Sequence, residues 1–297
     1  MTSRNLHEAD TEAQRGAGTV WTVMASSISP VVKLDEVTKE FGATRALDRV
    51  SVTISPGEFV AVIGRSGAGK TTLLRCLSRS AVSTSGRIWF GEEDLATVTG
   101  ARLRAHRARV GMVFQQFNLV RRLRVLDNVL IGRLPHVRGW RRWATLLRRF
   151  PADDQAVARR ALAHVGLLGW AWQRADTLSG GEQQRVAIAK ILAQEPQIIL
   201  GDEPVASLDV ANGAMVMETL RRVATEAGVT VITTLHHVDY ARRYADRVLG
   251  FRHGALVFDG APAALDEVAL ERIFGPPAVA PEAVPEYALP APELVTT

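Results

Sequence analysis

Cysteine is nearly absent from this chain: Cys76 is the only one among 297 residues. No disulfide can form within the chain, and no Cys/His spacing suits a zinc site. A lone thiol on the apolar side of a predicted helix reads as a core side chain in a reducing compartment rather than a nucleophile. Long apolar runs are missing too. No uninterrupted stretch reaches the ~20 residues a helix needs to cross a bilayer. Residues 20–28 come nearest to an export signal, but they are short, carry serine and threonine, and lack a basic leader directly before them. The chain is therefore expected in the cytosol, and Met24 offers an alternative start. Internal repeats are absent as well.

Hydrophobic residues make up 47% of the chain, enough for one large domain or two modest ones with a sizeable core. The net charge is +5, carried mostly by arginine. Arginines concentrate between 121 and 149, including Arg138-Gly139-Trp140-Arg141-Arg142-Trp143 and Arg148-Arg149. Such a surface can be simply solvated or lie near anionic head groups. No nucleic-acid recognition motif surrounds it, so nucleic acid is not an expected partner.

Residues 1–30 are polar and aperiodic and are expected to form a disordered extension. The tail, 276–297, is rich in Pro, Ala and Glu and is expected to be extended and loosely ordered. Between them, short β-like runs fill 31–54, with period-two alternation over 48–54. Pro56-Gly57 marks a turn. The apolar run 59–63 reads as a buried strand, and a strand pair is expected near 86–90 and 110–114. From 118 to 193 the pattern is helical, with apolar faces over 153–165 and 180–193. Strands (198–200, 229–234, 248–251) then alternate with helices (212–226, 238–245). This alternation predicts an α/β fold with a mainly parallel sheet, into which the helical block is inserted.

The most specific motif is Gly64-Arg65-Ser66-Gly67-Ala68-Gly69-Lys70-Thr71. It fits the phosphate-binding loop G-x-x-x-x-G-K-[ST] at every constrained position. A strand enters it and a helix starting at Thr72 leaves it, a context that a chance glycine-rich turn would lack. Glycines let the backbone wrap a polyphosphate with its N–H groups pointing inward. The helix start adds positive dipole character. Lys70 is placed for the β- and γ-phosphates, and the Thr71 hydroxyl for Mg²⁺.

Gln197-Ile198-Ile199-Leu200-Gly201-Asp202-Glu203 is an apolar strand ending in paired carboxylates. At the C-terminal end of a parallel strand, these open on the ligand crevice. Asp202 is placed to hold Mg²⁺ and Glu203 to polarise a water for attack on the γ-phosphate. The plainer reading is a pair of solvated turn carboxylates. A further segment, Leu178-Ser179-Gly180-Gly181-Glu182-Gln183-Gln184-Arg185, opens a helix. Ser179 suits the N-cap, and the glycines bare the helix-start N–H groups, which makes a second phosphate receptor.

That segment resembles the L-S-G-G-Q-x-Q-R signature of ATP-binding cassette ATPases. The resemblance covers about 31–275, with the motifs in the family's order. It implies a P-loop NTPase of the cassette type: a RecA-like, mainly parallel sheet core, an N-terminal antiparallel β subdomain and an inserted helical subdomain at about 118–190. ATP and Mg²⁺ are the implied cofactors, the nucleotide held by the loop from Gly64 to Thr72. The resemblance also implies a homodimer of cassettes paired head to tail. Ser179, Gly180 and Gly181 of one copy then face the γ-phosphate bound by the other. Asp209, in Ser207-Leu208-Asp209, lies in the loop that couples the two copies.

Phe41 stands where an aromatic ring stacks on adenine, more often a tyrosine; a buried core phenylalanine is the alternative. Gln115 matches the glutamine that senses Mg²⁺ and contacts the transport subunit, with Gln116 the adjacent candidate. His236 matches the switch histidine near the γ-phosphate. It directly follows the strand and has Asp239 three places on; His237 is the alternative. Glu182 departs from the family's glutamine. A carboxylate there is compatible with the helix dipole, and it lies beyond the residues expected to touch phosphate.

The resemblance implies separate integral membrane permease subunits, a periplasmic or lipid-anchored solute-binding protein, and a peripheral place on the cytoplasmic face of the membrane. Phe114-Gln115-Gln116-Phe117-Asn118-Leu119-Val120 and Trp172-Gln173-Arg174-Ala175-Asp176-Thr177-Leu178 resemble the cassettes of phosphonate importers. So do residues 126–130, 132–134 and 235–241, and a helical insertion at 140–150. Val210 departs from the proline usual there. The implied activity is ATP hydrolysis coupled to import of phosphonate, with phosphate and phosphite as neighbours. The runner-up is import of another small solute, such as an amino acid. A soluble cassette ATPase acting on DNA or ribosomes usually carries long coiled-coil insertions or a second cassette, and neither is present.

Overall fold

The computed structural model describes residues 31–137 and 150–276. The extension 1–30, the segment 138–149 and the tail beyond 276 lie outside the described residues, as do the expectations placed on them.

The described residues start with a hairpin. Strands β1 (Val32–Phe41) and β2 (Thr44–Ile54) pair antiparallel, with Val32 opposite Ile54 and Phe41 opposite Thr44. β4 (Ser85–Phe90) and the short β5 (Glu93–Asp94) complete an antiparallel sheet of order β2-β1-β4-β5. The second sheet contains β3 (Phe59–Gly64), β6 (Val110–Phe114), β7 (Ile198–Asp202), β8 (Thr230–Leu235), β9 (Arg247–Arg252) and β10 (Ala255–Gly260). Its order is β10-β9-β3-β8-β7-β6, parallel throughout except for β10 against β9.

The strands expected as a pair near 86–90 and 110–114 both form, but not as partners. β4 pairs with β1, and β6 pairs with β7 in the other sheet. A helix, α2 (Gly100–Arg109), carries the chain from one sheet to the other. That helix has no apolar stripe to announce it, because His106 is its only buried residue.

β3 and β8 are buried along their whole length, as strands covered on both faces must be. The period-two alternation of β3 divides it between two cores. Phe59, Ala61 and Ile63 face the core shared with most of the helices. Val60 and Val62 face the core shared with the antiparallel sheet and with α1 (Lys70–Leu77). α1 therefore lies pinned between the sheets by Leu73, Leu74, Cys76 and Leu77. Burial raises the Cys76 thiol to about 11, which makes it an inert core group.

The helical stretch contains α3 (Val125–Leu130), α4 (Ala152–His164) and α5 (Gly180–Leu192), packed on one another. Three further helices, α6 (Val210–Ala227), α7 (Val238–Tyr244) and α8 (Glu267–Phe274), flank the parallel sheet. Along α6, Gly213, Val216, Met217, Leu220, Val223, Ala224 and Ala227 are buried at helical spacing. Among the described residues, no helix is long and apolar enough to cross a membrane.

Candidate active site

Four neighbouring parallel strands end side by side, and each delivers one motif. Phe114 of β6 stands opposite Asp202 of β7, Asp202 opposite Thr234 of β8, and Leu235 of β8 opposite Ile63 of β3. The chain continues from this row into Gln115, Glu203, His236 and the phosphate loop. Parallel strands all open on the same rim, so motifs far apart in sequence converge there.

The phosphate loop lies directly on β2. Gly69 has φ 105°, and a Cβ there would stand 2.3 Å from the carbonyl oxygen of Ala46. Gly69 is also the N-cap of α1, whose first residue is Lys70. Lys70 Nζ donates to the carbonyl oxygens of Gly64 at 2.7 Å and Arg65 at 3.0 Å. Burial pulls its pKa down, against the opposing pull of Glu203 and Asp202. Arg65, Ser66 and Gly67 form the exposed outer turn of the loop, Ala68 is buried, and Thr71 and Thr72 are half-buried.

Thr71 Oγ1 donates to Asp202 Oδ1 at 2.9 Å. Thr234 Oγ1 lies 3.1 Å from the same oxygen and accepts from the Glu203 N–H at 2.9 Å. Thr234 thus ties both acidic residues to β8. Sequence reading missed it; its signal was the polar Thr233-Thr234 pair towards the C-terminal end of a buried strand. Glu203 takes φ 51°, a left-handed conformation whose strain at a non-glycine residue is on the order of 1–3 kcal/mol. Its Oε1 meets His236 Nε2 at 2.5 Å, while His237 instead packs edge-on to Tyr240, with ring centroids 6.0 Å apart. Of the two candidate histidines, His236 is the one that touches the acid.

Thr71, Gln115, Gln116, Asn118, Asp202 and Glu203 line a cavity of about 430 Å³. Both glutamines face it, so the cavity does not separate them. Phe41 is 50% exposed at the tip of the β1–β2 hairpin, with Lys39 Nζ 4.7 Å from its ring centroid. It is no core residue. Because Ala46 of the same hairpin touches Gly69, that tip stands beside the phosphate loop.

The remaining candidates form a second cluster. Ser179 Oγ accepts from the Glu182 N–H at 3.3 Å, and the Glu182 carboxylate accepts from the Ser179 N–H and hydroxyl, each at 2.8 Å. This is a capping box, and these bonds hold the Glu182 carboxyl below its ordinary pKa. Gly181 packs tightly on α6: a Cβ there would lie 2.3 Å from Asn212 Oδ1. Asp209 caps α6, accepting from the Asn212 N–H at 2.9 Å and Nδ2 at 2.6 Å, which lowers its pKa. None of Ser179, Gly180, Gly181 and Asp209 lines the cavity at Thr71 and Glu203.

Among the described residues, no three His, Cys, Asp or Glu side chains converge as a metal cage. The Thr71 and Asp202 oxygens are hard donors that fit Mg²⁺, which keeps several waters and takes its other ligands from phosphate.

A family model described as ABC transporter matches residues 47–206. The phosphonates import ATP-binding protein PhnC of Bradyrhizobium diazoefficiens is 49% identical over 261 residues, covering 85% of this chain and 96% of that protein. A PhnC of Agrobacterium fabrum is 48% identical over 243 residues, covering 82% and 84%. Among solved structures, dimeric MJ0796, a bacterial ABC transporter cassette, aligns with a TM-score of 0.67 at 32% identity, over 78% of this chain and 98% of that one. CbiO1 from Clostridium perfringens, part of the transporter complex cbiONQ, aligns with a TM-score of 0.71 at 27% identity, over 82% and 92%. This chain therefore belongs to the ABC transporter family, as one of its ATP-binding subunits.

Proposed function

We propose that this chain is the ATP-hydrolysing, energy-coupling subunit of a phosphonate importer, with phosphate and phosphite as related cargo. One observation carries the reading of the site. Thr71 is hydrogen-bonded to Asp202, and the next residue, Glu203, to His236, so groups from three strand ends form one line beside the phosphate loop. The cargo rests on the relatives named for phosphonate import, such as the one 49% identical over 85% of this chain. In this reading residues 31–275 are the cassette and 118–190 its helical subdomain.

The backbone N–H groups from Gly64 to Thr72 and the Lys70 ammonium receive the β- and γ-phosphates, and the Phe41 ring stacks on adenine. Thr71 Oγ1 and Asp202 supply oxygen ligands for Mg²⁺, with Gln115 beside them. When bound, that ion neutralises charge on the phosphate oxygens. Glu203 orients a water towards the γ-phosphate and accepts its proton. His236, against Glu203 Oε1, holds the carboxylate in place.

The MJ0796 cassette is dimeric, and this chain is read the same way, head to tail. The Ser179–Gly180–Gly181 turn covers the partner's γ-phosphate with helix-start N–H groups, and Asp209 lies at the seam. Closure on ATP and reopening after hydrolysis move separate membrane permeases, which hold the chain at the cytoplasmic face. A solute-binding protein delivers the phosphonate.

The test is complementation. A bacterium lacking its own phosphonate cassette receives this chain with the membrane subunits it copurifies with. It is expected to grow on methylphosphonate as sole phosphorus source, and Glu203→Gln is expected to stop growth. ATPase activity without phosphonate uptake refutes the cargo and leaves the ATPase standing. Growth indifferent to Glu203→Gln refutes the coupling.

A further inference from the structure

Gln184 lies in the second turn of α5 and is 0% exposed. Its Nε2 donates to two backbone carbonyls, Pro204 O at 2.7 Å and Phe114 O at 3.2 Å. Both partners are acceptors, so the group between them is the NH₂, with one hydrogen for each carbonyl. The Oε1 of the same amide is buried without a hydrogen-bond partner. A half-satisfied buried amide is unfavourable compared with an apolar side chain of similar size. Stability alone would place methionine here, so what the NH₂ holds matters.

Phe114 ends β6, and its carbonyl belongs to the peptide that leads into Gln115. Pro204 directly follows Glu203 at the turn leaving β7. α5 itself starts at the Ser179 turn. One side chain thus ties the helix that bears the second phosphate-receiving turn to the two loops that carry Gln115 and Glu203. A hydrogen-bonded helix transmits a displacement of its first turn to its second.

We infer that Gln184 is a positioning residue that links the two nucleotide sites of a cassette pair. When Ser179, Gly180 and Gly181 engage a partner's nucleotide, α5 shifts, and Gln184 sets the Gln115 and Glu203 loops of its own chain. This rests on the head-to-tail reading above.

In the full chain, Gln184→Met keeps the length and removes both donors. The variant is expected to bind ATP as tightly as the native chain, to lose cooperativity in ATP, and to hydrolyse it about 10- to 100-fold more slowly. Native turnover and cooperativity in a folded Gln184→Met overturn the inference. A second measurement leaves Gln184 in place and serves if that variant does not fold. In the Glu203→Gln chain, ATP is expected to slow amide exchange at 115–117 and 205–206. Adding Gly180→Asp, which bars the Ser179 turn from a partner's phosphate, is expected to reduce that slowing at both segments. Undiminished slowing overturns the inference. Size exclusion on the same samples separates the claims. If the Glu203→Gln chain does not dimerise with ATP, the head-to-tail reading has failed and the inference falls with it. If it dimerises and exchange ignores Gly180, the inference alone has failed.

Discussion

Thr71 Oγ1 donates to Asp202 Oδ1 at 2.9 Å, across 131 positions of sequence. The phosphate loop and the end of β7 are thereby fastened at the point where the Mg²⁺ ligands are proposed. Asp202→Asn keeps the shape and removes the charge. It is expected to lower ATP turnover by about 100-fold or more, the scale of losing one electrostatic contact in a site. Turnover measured against Mg²⁺ concentration should show a raised requirement; an unchanged Mg²⁺ dependence contradicts the assignment.

A variant at Glu203 should separate binding from chemistry. Glu203→Gln is expected to retain ATP and reduce hydrolysis by about 10²- to 10⁴-fold, the range of a lost general base. The bound nucleotide should then hold two chains together on size exclusion. Hydrolysis at the native rate would remove the water-activating role.

Two glycines of the phosphate loop should differ sharply. A Cβ at Gly67 meets nothing within 4 Å, whereas one at Gly69 lies 2.3 Å from the Ala46 carbonyl oxygen. Gly67→Ala carries only the left-handed penalty, roughly 1–2 kcal/mol. Gly69→Ala must also push β2 away from α1, so it is expected to be the less stable of the two and to lose ATP binding. Urea unfolding and nucleotide titration of both variants check the order.

The exposed ring of Phe41 predicts a binding effect without a stability effect. Losing one base–aromatic stack is worth roughly 1–3 kcal/mol, so Phe41→Ala should weaken ATP binding by about 5- to 150-fold. Its thermal midpoint should stay at the native value, since the side chain is half in water. Phe41→Tyr should bind as the native chain does.

His106 gives a pH dependence of known sign. It is 0% exposed, its Nε2 lies 2.9 Å from the Leu77 carbonyl oxygen, and its ring meets Phe90 edge-on. Burial lowers its pKa below the ordinary 6.5. The unfolded chain therefore takes up the proton first as pH falls. The stability that depends on neutral His106 is complete above about pH 6.5 and is lost as pH drops towards the folded value. Burial lowers His164 in the same direction. Thermal midpoints between about pH 7.5 and 5.5 should fall in the native chain and fall less in His106→Leu, which keeps the His164 contribution.

The motifs that could be read directly are contiguous. The phosphate loop, the carboxylate-ended strand and the Ser179 capping turn each take their conformation from neighbours within a few residues. Glycine, a cap or an apolar run is enough to reveal them. The unbroken apolar run of β3 likewise predicted a buried strand before any partner was known. What stayed hidden was pairing. The residues at 86–90 and 110–114 read as strands, yet their own pattern did not say that β4 would join β1 and β6 would join β7. α2 escaped notice because a helix with one buried residue has no stripe.

The residue types and their local conformations were thus determined by the sequence alone: lysine on a glycine loop, acids at a strand end, serine at a helix start. The tertiary structure decided which of them touch. It joined Thr71 to Asp202 and His236, rather than His237, to Glu203; it exposed Phe41 and buried Thr234 and Gln184 between motifs. Strand order and helix docking set these contacts across long stretches of chain, and a buried polar side chain leaves no periodic mark by which to foresee them.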